Sequence, residues 1–381
     1  MYRYVYRVII LFLAFVFFLQ SDTGAQIPMD RILSRITIPS EGDMRGLVDL
    51  TGFPHTADQM DYIGNLCEGL EKDAIAKNHE RFGFSDETGF ICGISPHDDY
   101  ILAGRVYSHI HRSIKAKTVI LIGNAHWSEA FGIRNMLIFG DFRQWRGPYG
   151  PVTVSALRQR IIAGLSDESY TVDRKLVETE HSLEGLVPFL QYYNRDVEII
   201  PVLIPYTDWE TMNKLGIELA DAVAKVVQEN GWELGRDIAV LCSMDGQHYG
   251  DYGWSYYDFH PFGTDAAGFI KATDLDKRLI NDYLSGIARS DRVFGLFSEL
   301  VDQDDISRYK ITWCGRFSAP FAVNFSINLA KKAEGRELTG YLLRYGTSLS
   351  DQWLPVAEYG LGTTSDTNLH HFVTFAAMGF K

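Results

Sequence analysis

The chain has few cysteines: four in 381 residues, Cys67, Cys92, Cys242 and Cys314. Cys92 and Cys242 sit inside the apolar runs "FICGI" and "AVLCSM", where a buried, inert thiol is the simplest reading. Their contexts argue against a disulfide framework, even for an exported chain. Basic residues are also scarce, and the formal charge is −13 with no basic stripe. Nucleic acid and anionic membrane surfaces are therefore poor partners. There is no Pro/Ser-rich linker, low-complexity tract or internal repeat, so residues 26–381 read as one large domain. With 46% hydrophobic and 22% charged residues, the chain can bury a sizeable core. G-x-S-x-G, a Walker loop, H-E-x-x-H and a G-x-G-x-x-G after the first strand are all missing, which removes the commonest hydrolase, nucleotide and zincin signatures.

Long apolar runs are missing too, apart from residues 8–19, which follow Arg3 and Arg7 and precede small residues at Thr23-Gly24-Ala25. That order is a secretory signal peptide pattern over residues 1–25. Twelve apolar residues fall short of the roughly 20 needed to span a bilayer, and no cysteine follows them to carry a lipid. The expectation is export, to the periplasm or the medium, with no stable membrane span after cleavage.

What is present is alternation. Helical spacing over 56–80, with Thr56 as N-cap, is followed by a strand at 89–94, a helix at 103–113 and a strand at 118–122. A strand at 197–204, a helix at 209–229 and a strand at 238–242 continue the series. Further helices are expected near 273–288, 291–301 and 317–332, and closing strands at 339–345 and 371–378. Strands apolar on both faces predict an α/β three-layer sandwich, a mainly parallel central sheet covered by helices on both faces. Residues 134–155 read as hairpin material and 250–265 as an aromatic, glycine-rich insertion, both placed to cover a site.

Histidines collect where these strands end. His97, in "SPHDDY", follows the first apolar strand, and His126, in "LIGNAHW", follows the next, one βαβ unit later. Open α/β sheets place their ligand crevice at such carboxyl ends. If the two strands are neighbours, their ends are about 5 Å apart, near enough for two imidazoles to share a metal. "AVLCSMDGQHYG" adds Asp245 and His248 beyond a third strand. A lone histidine at a strand end usually caps a loop; three together favour a site. Spacing leaves the third ligand open among Asp98, Asp99, Asp245, Glu184 and Cys314. Cys314, ahead of an apolar helix and beside Arg316, reads equally as a stabilised thiolate or a semi-buried cysteine. In "VETEHSLEGL", His181 and Glu184 stand one turn apart and suit an outer partner that orients a ligand, or simply a capped helix start.

Together "SPHDDYILAG", "VILIGNAH", "EHSLEGLVPFLQ", "SMDGQHYG", "CGRFSAP" and "LLRYGTS" resemble the Memo family, also known as AmmeMemoRadiSam system protein B, which is similar in fold to LigB-like class III extradiol dioxygenases. The resemblance spans nearly all of the chain after the leader. It implies His97, His126 and Cys314 as metal ligands, His248 as the nearby acid/base, and iron, as Fe(II), or copper as cofactor; two imidazoles and a thiolate would also accept zinc. Asp98-Asp99 stand where the family has Ala-Gly, and Asn124-Ala125 replace the usual pair before His126. The resulting expectation is a metal-dependent redox enzyme in which Asp245 orients His248, and Tyr100 and the aromatic insertion wall a pocket for a small-molecule or peptide ligand. The alternatives are a non-catalytic binding protein using the same pocket and a zinc-dependent hydrolase.

Overall fold

The computed structural model describes residues 28–254 and 257–381; the expected signal segment lies outside them. Seven strands organise the site: β1 (Cys92–Ser95), β2 (Thr118–Asn124), β3 (Glu198–Ile204), β4 (Ile238–Ser243), β5 (Asp245–Trp254), β6 (Thr339–Thr347) and β7 (His371–Phe380). Five helices matter most: α1 (Ala57–Phe82), α2 (Tyr100–His111), α3 (Trp209–Asn230), α4 (Ala266–Leu279) and α5 (Ser318–Glu334).

The centre of the sheet runs β3-β2-β4-β1, all parallel, with Ile120 opposite both Ile200 and Val240. Every residue of β1, β2 and β4 is buried, so both faces of the pleat need cover. On one face Ile120, Ile122, Ile200, Val202 and Val240 pack in a core with Leu215, Leu219 and Val223 of α3 and Phe321 and Phe325 of α5. On the other, Val119, Leu121, Ile199 and Leu241 share a core with Ile63 of α1 and Val106 and Ile110 of α2. Alternate residues of one strand thus feed two cores, each such side chain contributing about 1.5–3 kcal/mol on burial. The result is the expected α/β three-layer sandwich. β7 then pairs antiparallel with β1, β5 and β6, making the far side of the sheet mixed.

Local signals explain the helix ends. Thr56 caps α1 through the Gln59 N–H while the Gln59 side chain accepts from the Thr56 N–H, and Gly83 closes the helix at φ 68°. α2 begins three residues earlier than the spacing suggests, directly after Asp99. α4 begins at Ala266 rather than near 273 and runs into a π-helical turn at Ile280–Leu284. The hairpin expected over 134–155 forms between Gln144–Trp145 and Val152–Val154. Half of the stretch 250–265 is strand: β5 extends to Trp254 and folds back through Tyr257–Phe259. No helix among the described residues is long and apolar enough to cross a membrane.

β1 and β2 are not neighbours, because β4 lies between them and pairs with both. His97 and His126 nevertheless meet: each is two residues past its strand, their ring centroids are 5.5 Å apart, and Ser243 at the end of β4 reaches His97 Nδ1.

Candidate metal centre

The ring centroids of His97 and His126 are 5.5 Å apart. Cys314, at the start of the short turn Cys314–Arg316 before α5, brings its Sγ to 3.4 Å from His97 Nε2. Ligand atoms of His97, His126 and Cys314 all fall within 4.8 Å of one another. Two ligands of a tetrahedral centre with one sulfur and one nitrogen lie roughly 3.5 Å apart, close to the sulfur–nitrogen spacing found here.

The hydrogen bonds around the two imidazoles fix which nitrogen is free. Ser243 Oγ lies 2.6 Å from His97 Nδ1 and donates its hydrogen to Ser182 O at 2.7 Å. With its proton committed, the hydroxyl accepts from His97 Nδ1–H, and Nε2 presents its lone pair to Cys314. His126 Nδ1 is 2.8 Å from Glu180 Oε1, while the other carboxylate oxygen accepts the His126 backbone N–H at 2.7 Å. Burial alone would raise the Glu180 carboxyl; the facing His126, then His181 and the Ser182 N–H, outweigh it and bring it down to about 2. Glu180 is therefore a fixed anion that holds His126 by Nδ1–H and leaves Nε2 available. Paired imidazole tautomers locked by outer partners are what a metal site needs.

The remaining expected residues separate into those at the site and those behind it. A cavity of about 690 Å³ is lined by His97, His126 and Cys314 together with Asp98, Asp99, His181, Asp245, His248 and Arg316, a size suited to a small organic ligand. Asp245 does not orient His248: its Oδ1 accepts the His97 N–H at 2.9 Å and its Oδ2 is 3.3 Å from His97 Nε2. Burial pushes its carboxyl up to about 7. His248 is anchored instead through its backbone, to Thr312 O at 3.0 Å and to the Thr312 hydroxyl at 2.7 Å, and burial pushes its imidazole down.

Asp98 accepts the Asp99 N–H, and desolvation followed by the Asp245 charge drives its carboxyl up. Asp99 ties down another loop, accepting from Thr364 N at 2.5 Å and Thr364 Oγ1 at 3.1 Å, with its carboxyl raised by burial, then by Asp98, to about 8. Asp99 thus adds a loop anchor beside His97. His181 stacks on His126 at 5.0 Å, and burial brings it down to about 3.

Four expectations change. Tyr100 is no wall of the cavity: it is buried in the core, stacks on Phe189 and donates to Gly185 O at 2.8 Å. Glu184 faces away from the histidines, held by Arg45 at 2.7 Å and the Val48 and Asp49 N–H groups. The carboxylate that orients His126 is Glu180, which sequence spacing did not single out. Cys314 is not held as a thiolate by Arg316, whose guanidinium lies over the Tyr309 ring at 3.3 Å and donates to Ser307 O. Burial, then Asp245, raises the Cys314 thiol; a bound cation would reverse that preference. Finally, the side chains of residues 253–257 in the aromatic stretch lie outside the described part, and the described side chains of 250–252 and 258–265 supply none of the lining residues.

Known proteins are similar to this chain over most of its length. The family model described as "Memo-like protein" matches residues 71–353. A MEMO1 family protein of Pyrococcus furiosus is 30% identical over 264 residues, covering 67% of this chain and 79% of its own. Counterparts in Thermococcus onnurineus and Thermococcus kodakarensis are 27% and 29% identical over 270 and 283 residues, covering 69% and 71% of this chain and 81% and 86% of theirs. With a family model matched over most of its length and a relative at this identity, the chain belongs to the Memo family.

Proposed function

We propose that the protein is a metal-dependent redox enzyme, similar in type to the extradiol dioxygenases, that holds Fe(II) or copper on His97, His126 and Cys314 and acts on a small organic molecule or peptide in the adjoining cavity. The observation that carries this reading is the approach of Cys314 Sγ to His97 Nε2 at 3.4 Å, with His97 and His126 each tied through Nδ1 to an outer partner. When bound, a redox metal would supply electron transfer to an oxidant at its open positions.

The chain's own residues supply the rest. Ser243 and Glu180 keep both imidazoles in the ligating tautomer. His248, kept neutral by burial, accepts a proton from a substrate hydroxyl or amine, and Asp245 holds the His97 backbone N–H. Trp127, Ala130, Tyr206 and Phe317 line the apolar part of the cavity and limit water there. In keeping with the N-terminal segment, we place this activity outside the cytoplasm.

Purification without oxygen, metal quantification and an oxygen-uptake assay over catechols, thiols and amides test the reading. Bound iron or copper that disappears in His97→Ala, with uptake on one substrate class, supports it. Equal, negligible metal in both proteins overturns it. Zinc with hydrolysis and no oxygen uptake would instead select the hydrolase reading, for which a thiolate and two imidazoles are equally suited. Metal-loaded protein silent on every substrate would favour ligand binding without turnover.

A further inference from the structure

Asp276, on α4, is almost fully buried, lines no part of the cavity and touches none of the three ligand residues. Its Oδ1 accepts from Gln247 Nε2 at 2.5 Å and from Trp313 Nε1 at 2.7 Å. Its Oδ2 accepts from Thr374 Oγ1, with Tyr345 OH at 3.4 Å. Gln247 immediately precedes His248, and Trp313 immediately precedes Cys314.

The two segments that Asp276 grips are joined rung by rung. Gln247 and Trp313 form an antiparallel bridge, His248 N donates to Thr312 O at 3.0 Å, and Thr312 Oγ1 returns a bond to His248 O at 2.7 Å. Two residues before Gln247 and one after Trp313, Asp245 N donates to Cys314 Sγ at 3.4 Å. Backbone space is reserved for this cluster: a Cβ on Gly246 would stand 2.2 Å from Thr374 Oγ1 and 2.9 Å from Asp276 Oδ2.

All of these contacts require Asp276 to accept, and no Lys, Arg or His lies within ion-pair distance among the described residues. A buried carboxylate supported only by neutral donors is costly, and an apolar side chain would fill the space at less cost. What a carboxylate adds is geometric: one oxygen holds two donors from two chain segments at short distances and fixes their separation.

We propose that Asp276 is a positioning residue that sets the separation between the β5 segment carrying Asp245 and His248 and the turn carrying Cys314. Given the metal reading above, on which this consequence rests, it thereby sets the affinity and geometry with which His97, His126 and Cys314 hold a cation.

The test compares the wild-type chain with Asp276→Asn, Trp313→Phe and a control, Glu71→Gln, which removes a buried carboxylate from an unrelated cluster. Two readouts are taken: Co(II) affinity with its thiolate-to-cobalt absorption band, and the rate at which iodoacetamide alkylates Cys314 in metal-free protein. Asp276→Asn is expected to weaken Co(II) binding about 10- to 100-fold, shift the band and speed alkylation severalfold; Trp313→Phe moves the same way by less, and Glu71→Gln changes neither. Wild-type affinity, band and alkylation in folded Asp276→Asn would overturn the proposal, as would equal changes in Glu71→Gln. Should Asp276→Asn not fold, Trp313→Phe decides by the same readouts, and no change in it overturns the proposal. Should the wild type bind no Co(II), the metal reading fails by itself, and alkylation alone decides whether Asp276 positions Cys314.

Discussion

The Nδ1–H of His126 ends on Glu180 Oε1 at 2.8 Å, and the same carboxylate takes the His126 backbone N–H, so one buried anion fixes both the tautomer and the place of an imidazole at the mouth of the cavity. Glu180→Gln keeps an acceptor but removes the charge and turns an amide toward one of these donors. Metal affinity should fall about tenfold or more, and stability should fall by about 1–3 kcal/mol because a buried donor is left facing an amide. A competition titration against a chelator measures the affinity.

Gly315 explains how the Cys314 turn reaches the histidines. A Cβ there would stand 2.2 Å from Met244 Cγ and 2.7 Å from Met244 Cβ, and Met244 links β4 to Asp245. Gly315→Ala should therefore push the turn off β4, costing about 1–3 kcal/mol in stability and most of the metal affinity. Urea denaturation and metal titration on one preparation would show both losses together.

How far the sequence foretold this site follows from what local pattern can encode. An apolar run ending in a histidine is a local signal, and it placed His97 and His126 at strand ends. The insertion of β4 between β1 and β2 is a long-range pairing that no spacing reports. Glu184 attracted attention because three residues separate it from His181, yet residues 184–186 form a 3-10 turn and its carboxylate turns to Arg45. Glu180, beside His181 in "TEHS", carried a signal that adjacency alone could have raised. Asp276 carried none: in "ATDLDKR" it reads as one more solvated charge on a helix, and only the packing of α4 against β5 buries it. Tyr100 misled for a related reason, since a tyrosine after two aspartates looks like a rim residue, but the first turn of α2 drives it into the core.

Away from the site, Glu71 of α1 is buried against Arg105 at 2.5 Å, His109 at 2.8 Å and Arg344 at 3.1 Å. Burial would raise its carboxyl; the His109 bond, Arg344 and Arg105 outweigh this and lower it to about 2. A carboxyl lowered in the folded state stabilises fully above its unfolded pKa, about 4.5, and loses that contribution as pH falls toward 2. Glu71→Gln should cost about 3 kcal/mol at neutral pH and flatten the acid limb of the stability profile between those values. Urea midpoints measured from pH 7 downward check both the size and the window.

The convergence of two imidazoles and one sulfur on a single cation is tested most directly by cobalt substitution. The wild-type chain should bind one equivalent of Co(II) and show a near-ultraviolet thiolate-to-cobalt band. Cys314→Ser should lose the band while remaining folded, and His97→Ala should lose the bound metal. A Cys314→Ser protein with the wild-type spectrum and stoichiometry would contradict the account.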